Sequence, residues 1–369
     1  MNAFLTVAIS SVLLALVAGQ ACVQETNCKL AEQCVCASMD PPISATIPQL
    51  VTITFHDAIS NEYMDQIYIP LLYDRVNPDD RPSSATFYVP HEYTDYSRVN
   101  ELYNSGFEIG VHSITKDSSS QYWADASVSV LVQEFQGQRQ IINRFANIPM
   151  ADVVGARVPN FQNAGNNLFQ AYQQAGIEYD NTWTARSTDR YFPFSLDLVN
   201  ENVPCMIGEC PNTPFAGIWV APVIDLELDG IECNNLLACP VEDNARVISD
   251  WLYNQFTNVY TSGRAPITLA ASAAWFLAYE NAFDGMSDFL DRIQALDNVY
   301  LVAHKQVIDF MKNPVSADEY VPSEVGGYAT CSRRSCPLQF NSEIRYMVAC
   351  VSSCPPSYPW LGNPTGTGS

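Results

Sequence analysis

Short apolar runs alternate with longer amphipathic stretches over most of the chain, from about residue 50 to residue 310. The short runs are rich in branched and aromatic residues, which predicts buried strands, at Leu50–Phe55, Ser84–Val89, Phe107–Val111, Gly217–Val220, Ile267–Leu269 and Val299–Val302. The longer stretches have helical length and apolar spacing, at Val130–Phe145, Asn166–Ala175, Glu242–Val259 and Tyr279–Leu296. This alternation predicts a parallel sheet closed as a barrel, with its chemistry at the carboxyl ends of the strands.

The two ends of the chain differ from this pattern. Residues 1–21 contain an apolar run followed by small residues, which predicts a cleavable signal peptide, although no Lys or Arg precedes the run. A buried N-terminal strand or helix is the alternative. We expect a Cys-rich leader and linker at 22–48, followed by the barrel at 49–312. The remaining residues, 313–369, are expected to wrap over the barrel, held by disulfides, and to end in a flexible tail from about Gly362.

The twelve cysteines lie beyond the predicted cleavage region in three clusters of four, at 22–36, 205–239 and 331–354. An exported chain favours disulfides, so we expect six bridges formed within the clusters. Structural zinc is the alternative, because four cysteines can form a tetrahedral site. No CxxC pair is present to support it.

The net charge and the hydropathy of the chain limit the classes of molecule that it is expected to bind. The formal net charge is −22, from 40 acidic and 18 basic residues, and no basic run exists that would bind nucleic acid or anionic membranes. No stretch after the first segment reaches the ~18 to 20 apolar residues of a membrane span. We therefore expect a secreted monomer whose natural partner is a neutral polymer.

A series of segments stands out in order along the chain: Cys28–Cys36, Thr54–Ala58, Ser84–Tyr96, Gly110–Lys116, Ala156–Pro159 with Gly165–Asn167, Tyr179–Trp183 and Arg264–Trp275. Together these segments resemble the polysaccharide-deacetylase (carbohydrate esterase 4) family, and in particular the insect gut-type chitin deacetylases. The resemblance implies a distorted (β/α)7-type barrel with disulfide-rich N- and C-terminal extensions. It also implies chitin or chitin oligomers as the partner, and the gut lumen or peritrophic matrix as the location.

The resemblance implies a metal-dependent amidase that acts on N-acetylglucosamine units. In the family a divalent metal, usually zinc, polarises the acetyl carbonyl and activates a water molecule. An aspartate accepts the proton of that water, and a histidine protonates the leaving amine. Three positions of this chemistry are retained here: Asp57 and His112 as metal ligands, and Arg157 as the residue that orients the base.

The other three positions are substituted. His56 stands where the base is expected, and Ser272 stands where the acid histidine is expected. Lys116 stands at the second histidine ligand, four residues after His112, which would place it one turn on and on the same side. Losing a positioned acid or base costs ~10²–10⁴ in rate each, so we expect weak catalysis or none, and doubtful zinc occupancy.

Several alternatives remain open from the sequence. The Lys116 ammonium is expected to pair with Asp57 in place of a metal, whereas His56 is an alternative metal ligand beside His112 if the chain turns there. As structural residues, His112 would be a core histidine and Arg157 would hold a carboxylate such as Asp180. Trp183 and Trp275 are candidates for sugar stacking or for the core. Loop acids at Asp225, Glu227 and Asp229 raise a glycosidase alternative that no second motif supports.

The function expected from these residues is that of a secreted chitin-associated protein that keeps the sugar groove of the family without efficient deacetylation. The second hypothesis is a deacetylase that uses an altered site. The third is a secreted protein with no carbohydrate role, which a failure to bind chitin would favour.

Overall fold

The computed structural model describes residues 21–367, so the predicted signal peptide lies almost wholly outside the described residues. The strands, numbered in chain order, are β1 (Gln49–Phe55), β2 (Thr86–Pro90), β3 (Glu108–Ser113), β4 (Gly155–Ala156), β5 (Asn163–Ala164), β6 (Tyr179–Asp180), β7 (Thr184–Ala185), β8 (Phe194–Ser195), β9 (Gly208–Glu209), β10 (Trp219–Val220), β11 (Val223–Ile224), β12 (Leu226–Leu228), β13 (Ile231–Cys233), β14 (Ile267–Ala271), β15 (Val299–Leu301), β16 (Arg333–Phe340) and β17 (Glu343–Cys350).

The helices surround these strands. They are α1 (Asn61–Tyr63), α2 (Ile69–Leu72), α3 (Tyr96–Asn104), α4 (Ser120–Ala124), α5 (Val128–Ala146), α6 (Gly165–Ala175), α7 (Ala245–Tyr260), α8 (Ala273–Ala278), α9 (Ala282–Gln294) and α10 (His304–Lys312). A π-helical turn, Met64–Tyr68, joins α1 to α2, and short 3-10 turns occur at Leu30–Glu32, Met150–Asp152, Pro159–Phe161 and Leu236–Ala238.

The main sheet has β1 near its centre. One edge of β1 pairs in parallel with β14, and the other edge pairs in parallel with β15 at its beginning and with β2 at its end. From β2 the sheet continues through β3, β4, β6 and β10, all in parallel, to an antiparallel edge strand, β8. Strands β7 and β11 extend beyond β6 and β10, and β11 contacts β14, so the two ends of the sheet approach each other. The expected distorted α/β barrel is confirmed.

The strands that form the barrel wall are buried on both faces, as expected for a parallel sheet covered by helices. All seven residues of β1 are buried, and so are all five of β14. Polar side chains that point into the barrel satisfy one another: the Thr52 hydroxyl lies 3.1 Å from Nε2 of His304, which lies 2.9 Å from the Thr268 hydroxyl. The barrel interior is therefore a packed core.

Every strand and helix predicted from the sequence overlaps an observed element, with ends that differ by a few residues. Helices α1 to α4, α8 and α10 were not predicted, and neither were the two-residue strands of the barrel other than β10, because such strands are too short to show a period. No helix within residues 21–367 is long and apolar enough to cross a membrane.

All twelve cysteines form disulfides within their clusters, as predicted, so the zinc alternative at the cysteines is wrong. The pairs are Cys22–Cys36, Cys28–Cys34, Cys205–Cys210, Cys233–Cys239, Cys331–Cys350 and Cys336–Cys354. The first two fold the leader against residues 192–200, where the backbone N–H of Ser195 donates to the carbonyl of Val35 at 2.8 Å.

The last two disulfides hold an antiparallel hairpin, β16–β17, which packs through β17 against α3 and α5. The cysteine spacing predicts a disulfide-stapled wrap here, but the two strands were not predicted. The segment expected to be a flexible tail turns back on itself, because the backbone N–H of Ser357 donates to the carbonyl of Gly366 at 3.1 Å. His91 fixes this end to the barrel through Nε2, 2.9 Å from the carbonyl oxygen of Pro359.

We predict that a disulfide in this protein stabilises the fold more when it closes a longer segment of chain. Cys331 and Cys350 are 19 residues apart, whereas Cys205 and Cys210 are 5 apart. Replacing the first pair by Ser should lower the free energy of unfolding by about 3 kcal/mol, and replacing the second pair by about 2 kcal/mol. Equilibrium denaturation of both double variants measures this difference, and a larger loss for the short loop would contradict it.

Candidate active site

A cavity of about 600 Å³ opens at the carboxyl ends of the barrel strands. It brings together all six catalytic and metal positions expected from the sequence: His56 and Asp57 just after β1, His112 near the end of β3, Lys116 in the following loop, Arg157 just after β4, and Ser272 just after β14. Its other lining residues are Asp117, Ser118, Ser120, Val158, Pro159, Asn160, Phe161, Asn234, Asn235, Leu237 and Ala274. His56 and Asp57 both reach the cavity because the chain leaves the strand at Phe55.

The Lys116 ammonium lies inside the site. Its Nζ is 3.6 Å from Oδ1 of Asp57 and donates a hydrogen bond to the carbonyl oxygen of His56 at 2.8 Å. The other carboxylate oxygen of Asp57 accepts from the backbone N–H of Ala273 at 2.7 Å, which ties the end of β1 to α8. The expected pairing of Lys116 with Asp57 is therefore present in the structure.

Lys116 reaches this position by a turn, and our expectation of helical spacing after His112 is wrong. His112 lies in β3, and the chain then bends so that the backbone N–H of Lys116 donates to the Ser113 hydroxyl at 2.9 Å. Lys116 itself has a left-handed backbone, with φ of +45°. The strand and the turn, rather than one helical face, bring the two side chains into the same cavity.

A buried carboxylate that sequence reasoning missed holds this turn. Glu134 of α5 is fully buried, and its Oε2 accepts from the backbone N–H groups of Ile114 and Thr115, both at 2.9 Å. Its Oε1 accepts from the hydroxyls of Thr115 at 2.6 Å and Tyr122 at 2.8 Å. With four donors to one carboxylate, Glu134 acts as a positioning residue for the loop that carries Lys116. No local sequence signal marks it, since it lies in mid-helix.

The hydrogen bonds of His112 define its tautomer. Nδ1 lies 2.8 Å from the carbonyl oxygen of Arg157, and because a carbonyl only accepts, Nδ1 carries the hydrogen. The lone pair is then on Nε2. Burial, followed by the charge of Lys116 and the neighbouring His56, holds the pKa of His112 well below its usual range, so the ring is neutral. His112 therefore presents a hydrogen-bond acceptor to the cavity.

Arg157 is buried, with 1% of its surface exposed, and its guanidinium is surrounded by neutral groups. It donates to the Thr54 hydroxyl at 2.7 Å and to the side-chain oxygen of Asn181, and it stacks 4.6 Å from the ring centre of Tyr88. Asp180 does not hold it as a hydrogen-bonded partner, because that carboxylate accepts from Tyr172 and from the backbone at 182 and 183. Burial lowers the pKa of Arg157 to about 10, which leaves it charged at neutral pH.

His56 faces this guanidinium. Nη1 of Arg157 lies 3.4 Å from Nδ1 of His56, and because arginine only donates, Nδ1 is the acceptor and Nε2 carries the hydrogen. Burial, and then the charges of Arg157 and Lys116, hold the pKa of His56 well below its usual range. A general base must accept a proton. His56 is neutral, its lone pair is directed at Arg157, and two cations oppose its protonation, so it is a poor base.

Ser272 caps α8: its hydroxyl accepts from the backbone N–H of Trp275 at 3.3 Å. A serine hydroxyl is a far weaker acid than an imidazolium and cannot supply a proton at neutral pH. Ser272 therefore has a structural role here, and it does not reproduce the acid that the resemblance places at this position.

Strained backbone surrounds the cavity. Asn160 and Phe161 have φ of +58° and +53°, which together with Lys116 makes three non-glycine residues with left-handed backbone in one lining. Such conformations cost about 1 to 3 kcal/mol each and cluster at ligand-binding sites. The left-handed conformation is a genuine outlier for a residue as bulky as phenylalanine.

A disulfide-closed loop forms one wall of the cavity and was not predicted as part of the site. The Cys233–Cys239 bridge holds the loop that contributes Asn234, Asn235 and Leu237. Leu237 is 42% exposed and offers an apolar surface. The short spacing of the two cysteines was the one available signal, since it indicates a tight loop.

The two tryptophans proposed for sugar stacking lie in the core. Trp183 is 2% exposed and donates through Nε1 to the carbonyl of Pro204, and Trp275 is fully buried. Neither lines the cavity, so their burial favours the core alternative over stacking. Of the acids considered for a glycosidase, Asp225 and Glu227 line a different cavity of about 180 Å³.

The residues present do not fit a divalent metal. A catalytic zinc site takes three protein ligands, and here the third position is an ammonium. A dication about 4 Å from that ammonium would meet a repulsion of about 2 to 8 kcal/mol, depending on screening. Within residues 21–367, the one group of three cysteine, histidine or carboxylate donors that lie within 4.8 Å is Cys22, Cys28 and Cys34, which are in disulfides. His56, Asp57 and His112 therefore form no substitute set.

Comparison with known proteins gives close relatives in sequence. No family model matches the chain. It is 35% identical over 357 residues to Chitin deacetylase 8 of Bombyx mori, covering 93% of this chain and 92% of the relative. It is 33% identical over 344 residues to Chitin deacetylase 1 of Bombyx mori, covering 87% of this chain and 64% of that protein. Among solved structures, a family 4 carbohydrate esterase from Streptomyces lividans in complex with acetate aligns with a TM-score of 0.28 and 16% identity, over 39% of this chain and 65% of its own.

We predict that Glu134→Ala destabilises the fold by about 3 kcal/mol, because it leaves buried N–H donors without an acceptor. Glu134→Gln is the matched control, since the amide keeps one oxygen for the two backbone donors and should cost only about 1 kcal/mol. Chemical denaturation of both variants tests this. Equal losses would mean that Glu134 does not hold the loop through its hydrogen bonds.

We predict that the protein purified without added metal contains well under one equivalent of zinc, and that Lys116→His increases its zinc affinity at least tenfold. The substitution removes the repelling ammonium and supplies a third ligand. Elemental analysis after dialysis against buffered zinc measures both. Lys116→Met, which removes the charge without adding a ligand, separates the two effects. Stoichiometric zinc in the unmodified protein would contradict our assessment of the site.

Proposed function

The chain belongs to the chitin deacetylase family of polysaccharide deacetylases, and from this premise we propose that it is a secreted chitin-binding protein without efficient deacetylase activity. The expected resemblance to this family is confirmed. The proposal concerns what this member does with the shared fold, since its site differs at three positions that bind metal or move protons.

One observation carries the proposal: the Lys116 ammonium lies in the cavity, 3.6 Å from Oδ1 of Asp57. It lies in the place where the family requires a neutral metal ligand. In the family it is the bound metal that lowers the pKa of the attacking water, and the ammonium of Lys116 opposes binding of that metal. The base and acid positions hold a neutral His56 directed at Arg157 and a helix-capping Ser272, so the loss affects all three parts of the reaction.

The shape and the lining of the cavity, in contrast, are compatible with a bound ligand. The cavity has a volume of about 600 Å³, a strained lining at Asn160 and Phe161, and an apolar surface at Leu237. Backbone strain of this kind persists only where the surrounding structure maintains it. We propose that chitin or chitin oligomers are the partner, because both relatives are chitin deacetylases.

The site of action is also part of the proposal. Six disulfides are typical of proteins in oxidising compartments. Together with the predicted signal peptide they favour secretion. The resemblance to gut-type members favours the gut lumen or the peritrophic matrix, where a chitin-binding protein would attach to or organise the polymer.

An altered-site deacetylase is the second candidate. The observation that favours it is the retention of Asp57, His112 and Arg157 in one cavity. This candidate requires a base other than His56. Asp117 is the remaining carboxylate of the lining besides Asp57, and its Oδ1 accepts from the backbone N–H of Ser119 at 2.8 Å.

We predict that the secreted protein releases no acetate above background from chitin oligomers, with or without added zinc or cobalt. The triple variant His56→Asp, Lys116→His and Ser272→His should release acetate at least 100-fold above that background, because each restored acid or base contributes ~10²–10⁴. An active family member prepared identically sets the scale. Release by the unmodified protein near that scale would establish the altered-site enzyme instead, and no gain in the triple variant would mean that the groove has also changed.

A further inference from the structure

The cavity presents fixed hydrogen-bonding groups that the proposed function does not by itself explain. Lys116 has three N–H donors, of which one is used by the carbonyl oxygen of His56 and one is directed at Asp57. Its side chain is 37% exposed and lines the cavity, so the third donor is available to a ligand.

Beside it, His112 offers an acceptor. Its Nδ1–H is used by the carbonyl of Arg157, so the lone pair on Nε2 is the group that remains, and no residue within 21–367 donates to it. The rings of His112 and His56 have centroids 5.6 Å apart, and Lys116 donates to the carbonyl oxygen of His56. A donor and an acceptor thus lie in the same cavity.

An acetamido group is complementary to this pair, because its carbonyl accepts and its N–H donates at opposite edges of a planar amide, so that Lys116 and His112 would lie on either side of it. A free amine, as in deacetylated chitin, has no carbonyl oxygen to accept from Lys116, and in its protonated form it would meet the ammonium of Lys116 and the guanidinium of Arg157. Repulsion between like charges is strong in a partly buried site. The same groups therefore favour the acetylated sugar and oppose the deacetylated one.

We propose that Lys116 is a built-in cation that recognises the acetamido group of N-acetylglucosamine without a metal, its ammonium donating to the acetyl carbonyl while Nε2 of His112 accepts from the amide N–H. This inference rests on the proposed chitin binding and adds the substrate group and the residues that select it. Asp57 keeps the ammonium in place, and Glu134 holds the turn that carries it.

The test compares chitin pentamer with fully deacetylated chitosan pentamer by calorimetry, using the full secreted protein in the presence of EDTA. We expect the unmodified protein to bind the acetylated oligomer at least tenfold more tightly. Lys116→Met should lose at least tenfold in affinity for the acetylated oligomer and lose most of the discrimination. Lys116→Arg, which keeps charge and donors, should retain part of both.

Lys305→Met is the matched control. Lys305 has 34% side-chain exposure and also pairs with an aspartate, Asp309 at 2.8 Å, but it does not line the cavity. Lys305→Met changes the net charge by the same amount as Lys116→Met, and it should leave the affinity for both oligomers unchanged. Thermal unfolding of each variant verifies that it is folded.

The outcomes separate the two proposals. Binding of acetylated oligomers that Lys116→Met leaves intact, or that EDTA abolishes in the unmodified protein, overturns the metal-free recognition while chitin binding stands. Failure of the unmodified protein to bind either oligomer overturns the proposed chitin binding itself, and this inference with it.

Discussion

The buried guanidinium of Arg157 is the constraint on which the site depends. A buried charge costs several kcal/mol in desolvation and is tolerated only when its donors are satisfied. Here the acceptors are Thr54 on β1 and Asn181 just after β6, with the ring of Tyr88 on β2 beneath. These contacts span three strands of the barrel. The carbonyl of Arg157 in turn orients His112.

The positive charge of Arg157 restricts the charge that the groups around it can carry. Within residues 21–367 no carboxylate lies within ion-pair distance of it, so His56 meets it as a neutral acceptor. Lys116 adds a second positive charge to the same cavity, and Asp57 is the group that offsets it. Because Asp57 also accepts from the backbone N–H of Ala273, its retention has a structural reason that requires no metal. The substitutions at 56 and 116 are therefore mutually consistent.

The sequence was sufficient for the elements and positions that depend on local pattern. Strand β1 was predicted by its short apolar run and helix α5 by its apolar spacing, and the residue types at 57 and 116 predicted an ion pair. The sequence was not sufficient where the position of a side chain depends on contacts between distant parts of the chain. The turn at Ser113 replaces the helical spacing expected for Lys116, and the carboxylate of Glu134 acts on a loop 19 and 20 residues earlier in the chain. The sequence around Trp183 and Trp275 did not indicate whether these side chains lie in the core or in the cavity.

The proposed function requires that binding and catalysis depend on different groups of this site, so that one can persist without the other. Catalysis requires interactions that are stronger in the transition state, and in this family those are made by the metal, the base and the acid. Recognition of the ground-state sugar requires donors, acceptors and shape, and in the function proposed here Lys116, His112 and the wall at Leu237 would supply these without any proton transfer. Under that proposal, substitution at positions 56, 116 and 272 removes what accelerates the reaction and leaves, or even replaces, what would hold the acetylated sugar.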